Sequence, residues 1–243
     1  MSDDVNDQLV LICGAPATGK SASLMNIRGK NKWMYLNAEA GKRLPFKNDF
    51  MNLRIEDPYQ VNEAFDHGTD NPNINGCIID SMTFLMDMYE TQYVLGSANT
   101  MQGWSNYQQY FKILLQSKVV RFKKPVIITA HIKDELDEKA MEYRTSVPVK
   151  GALKNNGIEA YFSTIVYTKK VALTELEGYK NPLLNITEDD EMLGYKHVFQ
   201  TRPTKQTAGE RIRSPMGMFP REQTYIDNDA QVLLDHLDKF YKS

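Results

Sequence analysis

The sequence Gly14-Ala15-Pro16-Ala17-Thr18-Gly19-Lys20-Ser21 has the spacing G-x-x-x-x-G-K-[ST] and lies between an apolar run and a helix-compatible segment. In such a loop the glycines let backbone N–H groups curl round phosphates, and the start of the following helix adds a positive dipole. The lysine bridges the β- and γ-phosphates, and the final hydroxyl ligates Mg²⁺. We therefore expect 14–21, with the following Ala22, to bind ATP and Mg²⁺. The alternative is a glycine turn that introduces a helix without binding a ligand.

Apolar strands and helix-compatible segments alternate around this loop. Strands are predicted at 8–13, 33–37, 52–55, 77–81 and 126–130. Helices are predicted between them, at 20–28, 59–67, 83–95 and 105–121. The segment 126–130 is a continuous apolar run, which is typical of a strand covered on both faces. Repeated βα units of this kind predict an α/β fold with a mostly parallel sheet flanked by helices.

The pattern changes in the last third of the chain. Two strand-like stretches, 164–172 and 196–201, are separated by an acidic loop at 187–191. An amphipathic helix is predicted at 229–241. We expect the two strands to form an antiparallel C-terminal extension of the same sheet.

Composition indicates an ordinary globular protein. Hydrophobic residues make up 42% of the chain and charged residues 25%, which excludes a disordered or fibrous protein. A length of 243 residues suits one sizeable domain. That domain is predicted to comprise a flexible N-terminus (1–7), an ATPase core (about 8–172), and a part with antiparallel strands, a basic segment and a helix (173–243).

The cysteines and the N-terminus are typical of a cytoplasmic protein. Cys13 and Cys77 both lie in apolar runs interpreted as buried strands, which excludes a disulfide framework. The first seven residues are acidic, unlike a secretory signal, and no apolar run approaches the roughly 20 residues of a membrane helix. We expect a cytoplasmic protein with no membrane partner. The formal net charge of −2 leaves nucleic-acid binding open, because a basic groove can be local.

Polar residues at the ends of three predicted strands are candidates for the chemistry. Asp80 ends an aliphatic run in the form of a Walker B element and is expected to hold Mg²⁺ together with Ser21; the alternative is a helix cap. Glu39 is our candidate for orienting and deprotonating the attacking water, the alternative being a solvated loop acid. His131 is expected near the γ-phosphate as a sensor, the alternative being a structural histidine. The carboxyl ends of parallel strands meet at one edge of a sheet, where ligands bind.

These motifs, in this order, resemble the RecA-like ATPase core over about 8–172. The resemblance rests on GAPATGKS, a strand ending in Asn37-Ala38-Glu39, a strand ending in Asp57-Pro58, the run Ile78-Ile79-Asp80-Ser81, and a strand with a polar sensor. More narrowly, the run YLNAEAGK at 35–42, followed by LPF at 44–46, is similar to the phage Sak-type single-strand annealing proteins. Asp80-Ser81 with Thr83-Phe84-Leu85 carries the same similarity. Those proteins are RecA cores without flanking domains.

The resemblance implies that Glu39 is the water-activating glutamate and that a DNA-binding loop follows His131. It also implies ATP-linked assembly on single-stranded DNA. The expected partners are therefore single-stranded DNA, further copies of the chain, and a single-strand-binding protein. Two features depart from RecA: the sensor position usually carries Gln, and only seven residues precede the first strand. A ring or short filament is expected rather than a long stable filament.

Two segments supply basic residues. The turn-rich segment 133–156 mixes basic residues with acids, and its candidate DNA contacts are Lys139, Arg144, Lys150 and Lys154. The alternative is a surface loop without ligand. Segment 196–221 has six Lys or Arg against one acid and could neutralise a DNA backbone or reach a neighbouring subunit's γ-phosphate. The candidate fingers are Arg202, Lys205, Arg211 and Arg213, and the alternative is a solvated basic face.

Three functions compete at this point. The first is a DNA-dependent ATPase that binds single strands and promotes annealing or recombination. The second is a nucleotide-switched replication accessory or helicase-loader-type ATPase that acts mainly on a protein partner. The third, a small-molecule kinase, is disfavoured because no lid of clustered arginines lies near the phosphate loop.

Overall fold

An eight-stranded sheet forms the centre of the computed structural model, which describes residues 5–138 and 141–242 apart from the side chain of Asn155. The strands, including a separate β6–β7 hairpin, are β1 (Leu9–Gly14), β2 (Trp33–Asn37), β3 (Met51–Arg54), β4 (Gly76–Asp80), β5 (Val126–His131), β6 (Lys133–Asp137), β7 (Glu142–Ser146), β8 (Thr164–Ala172), β9 (Tyr195–Gln200) and β10 (Tyr225–Asp227). The sheet order is β10-β9-β8-β1-β5-β4-β2-β3. Strands β1 to β5 and β8 are parallel, and β9 is antiparallel to both neighbours. The predicted α/β class with an antiparallel C-terminal extension is confirmed.

Helices cover both faces of the sheet. They are α1 (Tyr59–Thr69), α2 (Met82–Tyr89), α3 (Thr100–Ile113), α4 (Val119–Phe122), α5 (Leu173–Leu176), α6 (Glu188–Leu193) and α7 (Ala230–Lys242). Single π-helical turns at Glu90–Val94 and Leu114–Lys118 extend the helices predicted at 83–95 and 105–121. Within the described ranges, none of the helices has the length and apolar character needed to cross a bilayer.

The central strand β1 shows why continuous apolar runs predicted the sheet. Its alternate side chains pack into two different cores, Leu11 and Cys13 on one face and Val10 and Ile12 on the other. All four are at most 1% exposed. Since β1 pairs with β5 on one side and β8 on the other, the loop that follows it begins in the middle of the sheet edge.

The helix predicted at 20–28 is wrong in length. After Ser21 the chain makes one short 3₁₀ helix, Ala22–Asn26, and Ile27 already leaves the helical region with ψ 126°. Contacts to α7 take the place of further helical turns. The backbone N–H of Arg28 donates to Gln231 at 2.9 Å, and the Asn26 amide donates to Asp229 at 2.6 Å. A five-residue helix has a small dipole, so the attraction for an anion must come mainly from the loop's own N–H groups and from Lys20.

Two segments that were expected to be loops are structured. The acidic stretch at 187–191 begins helix α6, because Thr187 and Asp190 form a reciprocal capping box. Part of the segment at 133–156 folds as the β6–β7 hairpin, in which Leu136 lies opposite Tyr143. Strand β10, three residues long, was not predicted at all.

Helix α7 closes one core by burying Leu237 completely. We expect Leu237→Ala to lower the free energy of unfolding by about 2–5 kcal/mol, because it removes packed methyl groups and leaves a cavity. Chemical denaturation monitored by circular dichroism measures this. The control is Met192→Ala, whose side chain is 86% exposed and should change stability by less than about 0.5 kcal/mol. Equal effects of the two substitutions would contradict the core position of α7.

Candidate active site

The glycines of the loop at 14–21 are required by close packing as well as by backbone conformation. A Cβ atom on Gly14 would lie 2.0 Å from the hydroxyl of Thr168. Gly19 has φ +105°, and a Cβ there would lie 2.4 Å from the amide nitrogen of Asn228. Sequence reasoning explained both glycines by phosphate binding alone. Neighbours from the C-terminal part of the chain impose the same requirement.

The C-terminal strands hold this loop by hydrogen bonds. His197 Nδ1 lies 2.9 Å from the Thr18 carbonyl oxygen, and the Asn228 amide donates to the Gly19 carbonyl at 3.0 Å. The hydroxyls of Thr18 and Thr168 are 2.5 Å apart. Three C-terminal side chains therefore fix the conformation of the loop.

Lys20 is held inside the curve of the loop. Its ammonium donates to the carbonyl oxygens of Gly14 and Ala15, each at 2.9 Å. Lys20 is only 7% exposed, and burial lowers the pKa of its ammonium. The nearby carboxylates of Glu39 and Asp80 oppose this shift, so the two acids help to keep Lys20 charged.

Asp80 is a buried carboxylate with three hydroxyl partners. Oδ2 accepts from Ser21 at 3.0 Å and from Tyr35 at 2.7 Å, and Oδ1 accepts from Thr129 at 2.5 Å. Asp80 is 2% exposed, and proximity to its charge adds to burial in raising the pKa of the Tyr35 hydroxyl. The sequence analysis missed Tyr35 and Thr129, although a polar Thr129 within an apolar strand was a signal.

The Ser21–Asp80 pair suits Mg²⁺ in its donor chemistry. Both groups offer oxygen atoms, which Mg²⁺ prefers, and their oxygens are within 3.0 Å of each other. Among the described residues, no cluster of three or more His, Cys, Asp or Glu could hold a metal alone. Mg²⁺ bound here would use Ser21 and Asp80 and complete its shell with phosphate oxygens and water, as is usual for this ion.

The carboxylate of Glu39 contacts His131 and Lys42. Its Oε1 lies 3.3 Å from His131 Nε2, and its Oε2 accepts from Lys42 Nζ at 2.9 Å. The hydrogen bond from His131 is the largest cause that lowers the pKa of Glu39, from 4.5 to about 2. Burial acts in the opposite direction and raises this pKa, whereas the hydrogen bond and charge of Lys42 lower it further. Glu39 is therefore a fully ionised carboxylate with both oxygens engaged.

A tight turn after β2 positions Glu39. Asn37 accepts from the Glu39 backbone N–H at 3.1 Å and donates to the Lys42 carbonyl at 2.8 Å. Ala40 and Gly41 adopt left-handed conformations, with φ of 50° and 76°. This turn directs Glu39 back towards the sheet edge, where β5 presents His131.

Lys20, Ser21, Glu39 and His131 line one cleft of about 500 Å³. The residues lining it are Pro16, Ala17, Gly19, Lys20, Ser21, Ala22, Glu39, Lys42, Arg43, Pro45, His131, His197 and Asn228. Five of them were not predicted: Lys42, Arg43, Pro45, His197 and Asn228. Lys42 and Arg43 lay next to Glu39 in the sequence, whereas His197 and Asn228 carried no motif.

The four candidate fingers lie in the described part of the chain, and none of them lines this cleft. Arg202 donates to the Phe219 carbonyl at 2.7 Å, Arg211 pairs with Glu159 at 3.1 Å, and Arg213 donates to a carbonyl at 3.4 Å. Lys205 is exposed. Contact with a nucleotide from these residues would therefore have to involve another subunit.

Of the candidate DNA-binding residues that the structure describes, two form ion pairs with acids and one is exposed. Arg144 pairs with Asp137 at 2.8 Å, and Lys150 pairs with Glu90. Lys154 is exposed. Lys139 lies outside the described residues. Of the three described candidates, two therefore already have acidic partners.

A parallel sheet whose central strand leads into the loop GAPATGKS, with Asp80 bonded to the loop's last hydroxyl, defines a P-loop nucleoside triphosphatase. Residues 6–211 match the family model described as an AAA domain, and the chain belongs to this family. Among solved structures it is similar to the RadB recombinase, with 14% identity and a TM-score of 0.41 over 68% of this chain and 76% of that one. No curated protein matches it.

Removing the imidazole partner should raise the pKa of Glu39. In His131→Ala the main cause of the depressed pKa is lost while burial remains, so the carboxyl should titrate well above pH 2. Because the folded-state pKa lies below 4.5, ionisation of Glu39 stabilises the fold above about pH 4.5, and this contribution is lost as pH falls towards 2. In the variant this contribution should be smaller, and its loss should be complete at a higher pH.

Carboxyl ¹³C NMR titration of labelled glutamates measures this shift. The matched control is His67→Ala, which removes an exposed histidine on α1. It should leave the Glu39 titration unchanged. An unchanged Glu39 titration in His131→Ala would show that the 3.3 Å contact does not govern the carboxylate.

Proposed function

We propose that the protein is an ATPase that binds single-stranded DNA and promotes annealing or recombination. The ATPase part is supported above all by the convergence of the phosphate loop and the Glu39–His131 pair on one cleft, with Asp80 bonded to Ser21 of that loop. Membership of the AAA domain family agrees with nucleotide hydrolysis. The DNA part rests on the sequence resemblance and on the basic segment at 196–221.

Each group in the cleft has a role in phosphoryl transfer. The loop N–H groups and Lys20 bind the β- and γ-phosphates, and Lys20 exchanges its carbonyl partners for phosphate oxygens. Mg²⁺, when bound, neutralises charge on these oxygens. Glu39 orients the attacking water and accepts its proton, and His131 holds the carboxylate in place. Since both Glu39 oxygens are engaged, Lys42 or His131 must release one before it can accept a proton.

Replacing Glu39 should separate binding from hydrolysis. We expect Glu39→Gln to bind ATP within about threefold of the wild type and to hydrolyse it at least about 100-fold more slowly, because the proton acceptor is lost. Calorimetry and phosphate release measure the two quantities. Lys20→Ala is the comparison variant: unlike Glu39→Gln, it should lose the binding of ATP. Persistent hydrolysis by Glu39→Gln would overturn the assignment of the base.

DNA binding and self-association belong together in this proposal. Arg202, Lys205, Arg211 and Arg213 lie away from the cleft of their own chain, so in a homo-oligomeric ring or short filament they would face a neighbour's nucleotide or DNA. ATP binding would favour the DNA-bound assembly, and hydrolysis would release it. We further propose a phage-encoded protein of one ATPase domain that acts in the host cytoplasm alongside a single-strand-binding protein.

Single-stranded DNA should stimulate the ATPase, with binding that weakens as salt rises because phosphate contacts release counterions. We expect Lys205→Ala to reduce the slope of log Kd against log salt by about 0.7, as loss of one phosphate contact to a single strand does. Fluorescence anisotropy with a labelled oligonucleotide and phosphate release measure both effects. An ATPase rate indifferent to DNA, with no salt-sensitive binding, would refute the DNA-dependent function.

The β6–β7 hairpin favours a second candidate, a nucleotide-switched accessory ATPase that acts on a protein. Five acidic and three basic residues lie between 133 and 146, an unfavourable balance for a DNA contact. The hairpin also exposes apolar side chains: Leu136 is 49% exposed, Met141 77% and Tyr143 67%. Such a surface suits a protein partner better than phosphates. The DNA stimulation assay decides between the two functions.

A further inference from the structure

His197 and Asn228 lie on the side of the phosphate loop opposite to the hydrolytic groups. In the sheet order, β9 and β10 are on one side of β1, whereas β5, β4 and β2, which carry His131, Asp80 and the turn to Glu39, are on the other. His197 and Asn228 line the same cleft as Glu39 and His131. A nucleotide with its γ-phosphate at Glu39 would therefore extend its nucleoside towards His197 and Asn228, which we call the nucleoside end.

Asn228 lines the cleft at this end and has an unused hydrogen-bond acceptor. Its amide nitrogen donates to the Gly19 carbonyl at 3.0 Å, which fixes the orientation of the group because two carbonyl oxygens would repel each other. Its Oδ1 is buried and has no hydrogen-bond partner within the described chain. Buried polar atoms nearly always have partners, so this oxygen calls for a donor.

His197 offers a second acceptor beside it. Nδ1 lies 2.9 Å from the Thr18 carbonyl, which can only accept, so Nδ1 carries the hydrogen. In the neutral imidazole Nε2 is then an acceptor. Both side chains pack on Gly19, where an added Cβ would lie 2.4 Å from Asn228 and 3.3 Å from His197.

We propose that Asn228, with His197 beside it, recognises a hydrogen-bond donor of the nucleoside and so selects among nucleoside triphosphates. This inference rests on the proposed nucleotide binding. Two parts of a nucleoside can supply the donor: an amino group of the base or a ribose hydroxyl. Adenine carries its amino group where guanine carries a carbonyl oxygen, so recognition of that position favours ATP over GTP, whereas recognition of the 2-amino group of guanine would favour GTP.

Calorimetric titration of the full chain in Mg²⁺ with ATP, dATP, GTP and inorganic tripolyphosphate tests this. Tripolyphosphate has no base or sugar, so its affinity measures binding by the phosphate loop alone. Asn228→Leu removes the hydrogen bond to Gly19 as well as the acceptor, so it should weaken the binding of both ligands. We expect the binding of ATP to weaken about tenfold more than that of tripolyphosphate, the equivalent of one hydrogen bond to the nucleoside. The matched control, Asn185→Leu, changes an exposed asparagine outside the cleft and should alter neither ligand.

The affinities of the wild type for the four ligands distinguish a base amino group from a ribose hydroxyl as the donor, without any variant. If the wild type binds GTP more weakly than ATP but binds dATP as tightly as ATP, the base is recognised. If it binds dATP more weakly than ATP, the ribose is recognised. Equal weakening of ATP and tripolyphosphate by Asn228→Leu would overturn the proposal, because Asn228 would then only hold the loop. Equal wild-type affinity for ATP, dATP, GTP and tripolyphosphate would overturn it as well. Failure of the wild type to bind any of the four would instead refute the proposed nucleotide binding.

Discussion

The buried carboxylate of Asp80 is the constraint on which the site depends. A charge that is 2% exposed is costly unless it is hydrogen-bonded, and here the hydroxyls of Ser21, Tyr35 and Thr129 supply the bonds. These groups come from the loop after β1, from β2 and from β5, so one carboxylate joins three parts of the sheet edge. The three hydroxyls are neutral and leave the negative charge of Asp80 in place, which draws cations to this edge. The same charge helps Lys20 to keep its proton despite burial.

The phosphate loop has an unusual support. Where a long helix would normally follow the loop, this chain makes five residues of 3₁₀ helix and then contacts α7. Side chains from the C-terminal strands replace the rigidity that a longer helix would provide. The antiparallel extension is thus part of the nucleotide site, and the basic segment that connects β9 to β10 is attached directly to it.

Much of the fold follows from local sequence. The buried strands β1, β2 and β5 are mostly apolar runs, and the GAPATGKS spacing places its loop without reference to the rest of the chain. Strand β10 could not be predicted because three residues carry no periodicity, and α6 was hidden because its acidic residues suggested a loop while its cap at Thr187 was overlooked. His197 and Asn228 could not be predicted because their partners are 179 and 209 residues away and follow from strand order. Glu39 and His131 were selected one at a time, but their contact across 92 residues depends on β5 lying two strands from β2.

The distance between the loop and its supports also sets an order of events during synthesis. Gly19 emerges from the ribosome 209 residues before Asn228, which at about 5–20 residues per second is a delay of about 10–40 s. During that interval the motif exists without the side chains that hold it. A nascent chain can therefore form the parallel core well before it has a finished nucleotide site, and the ability to use ATP is acquired as one of the last steps in making the protein.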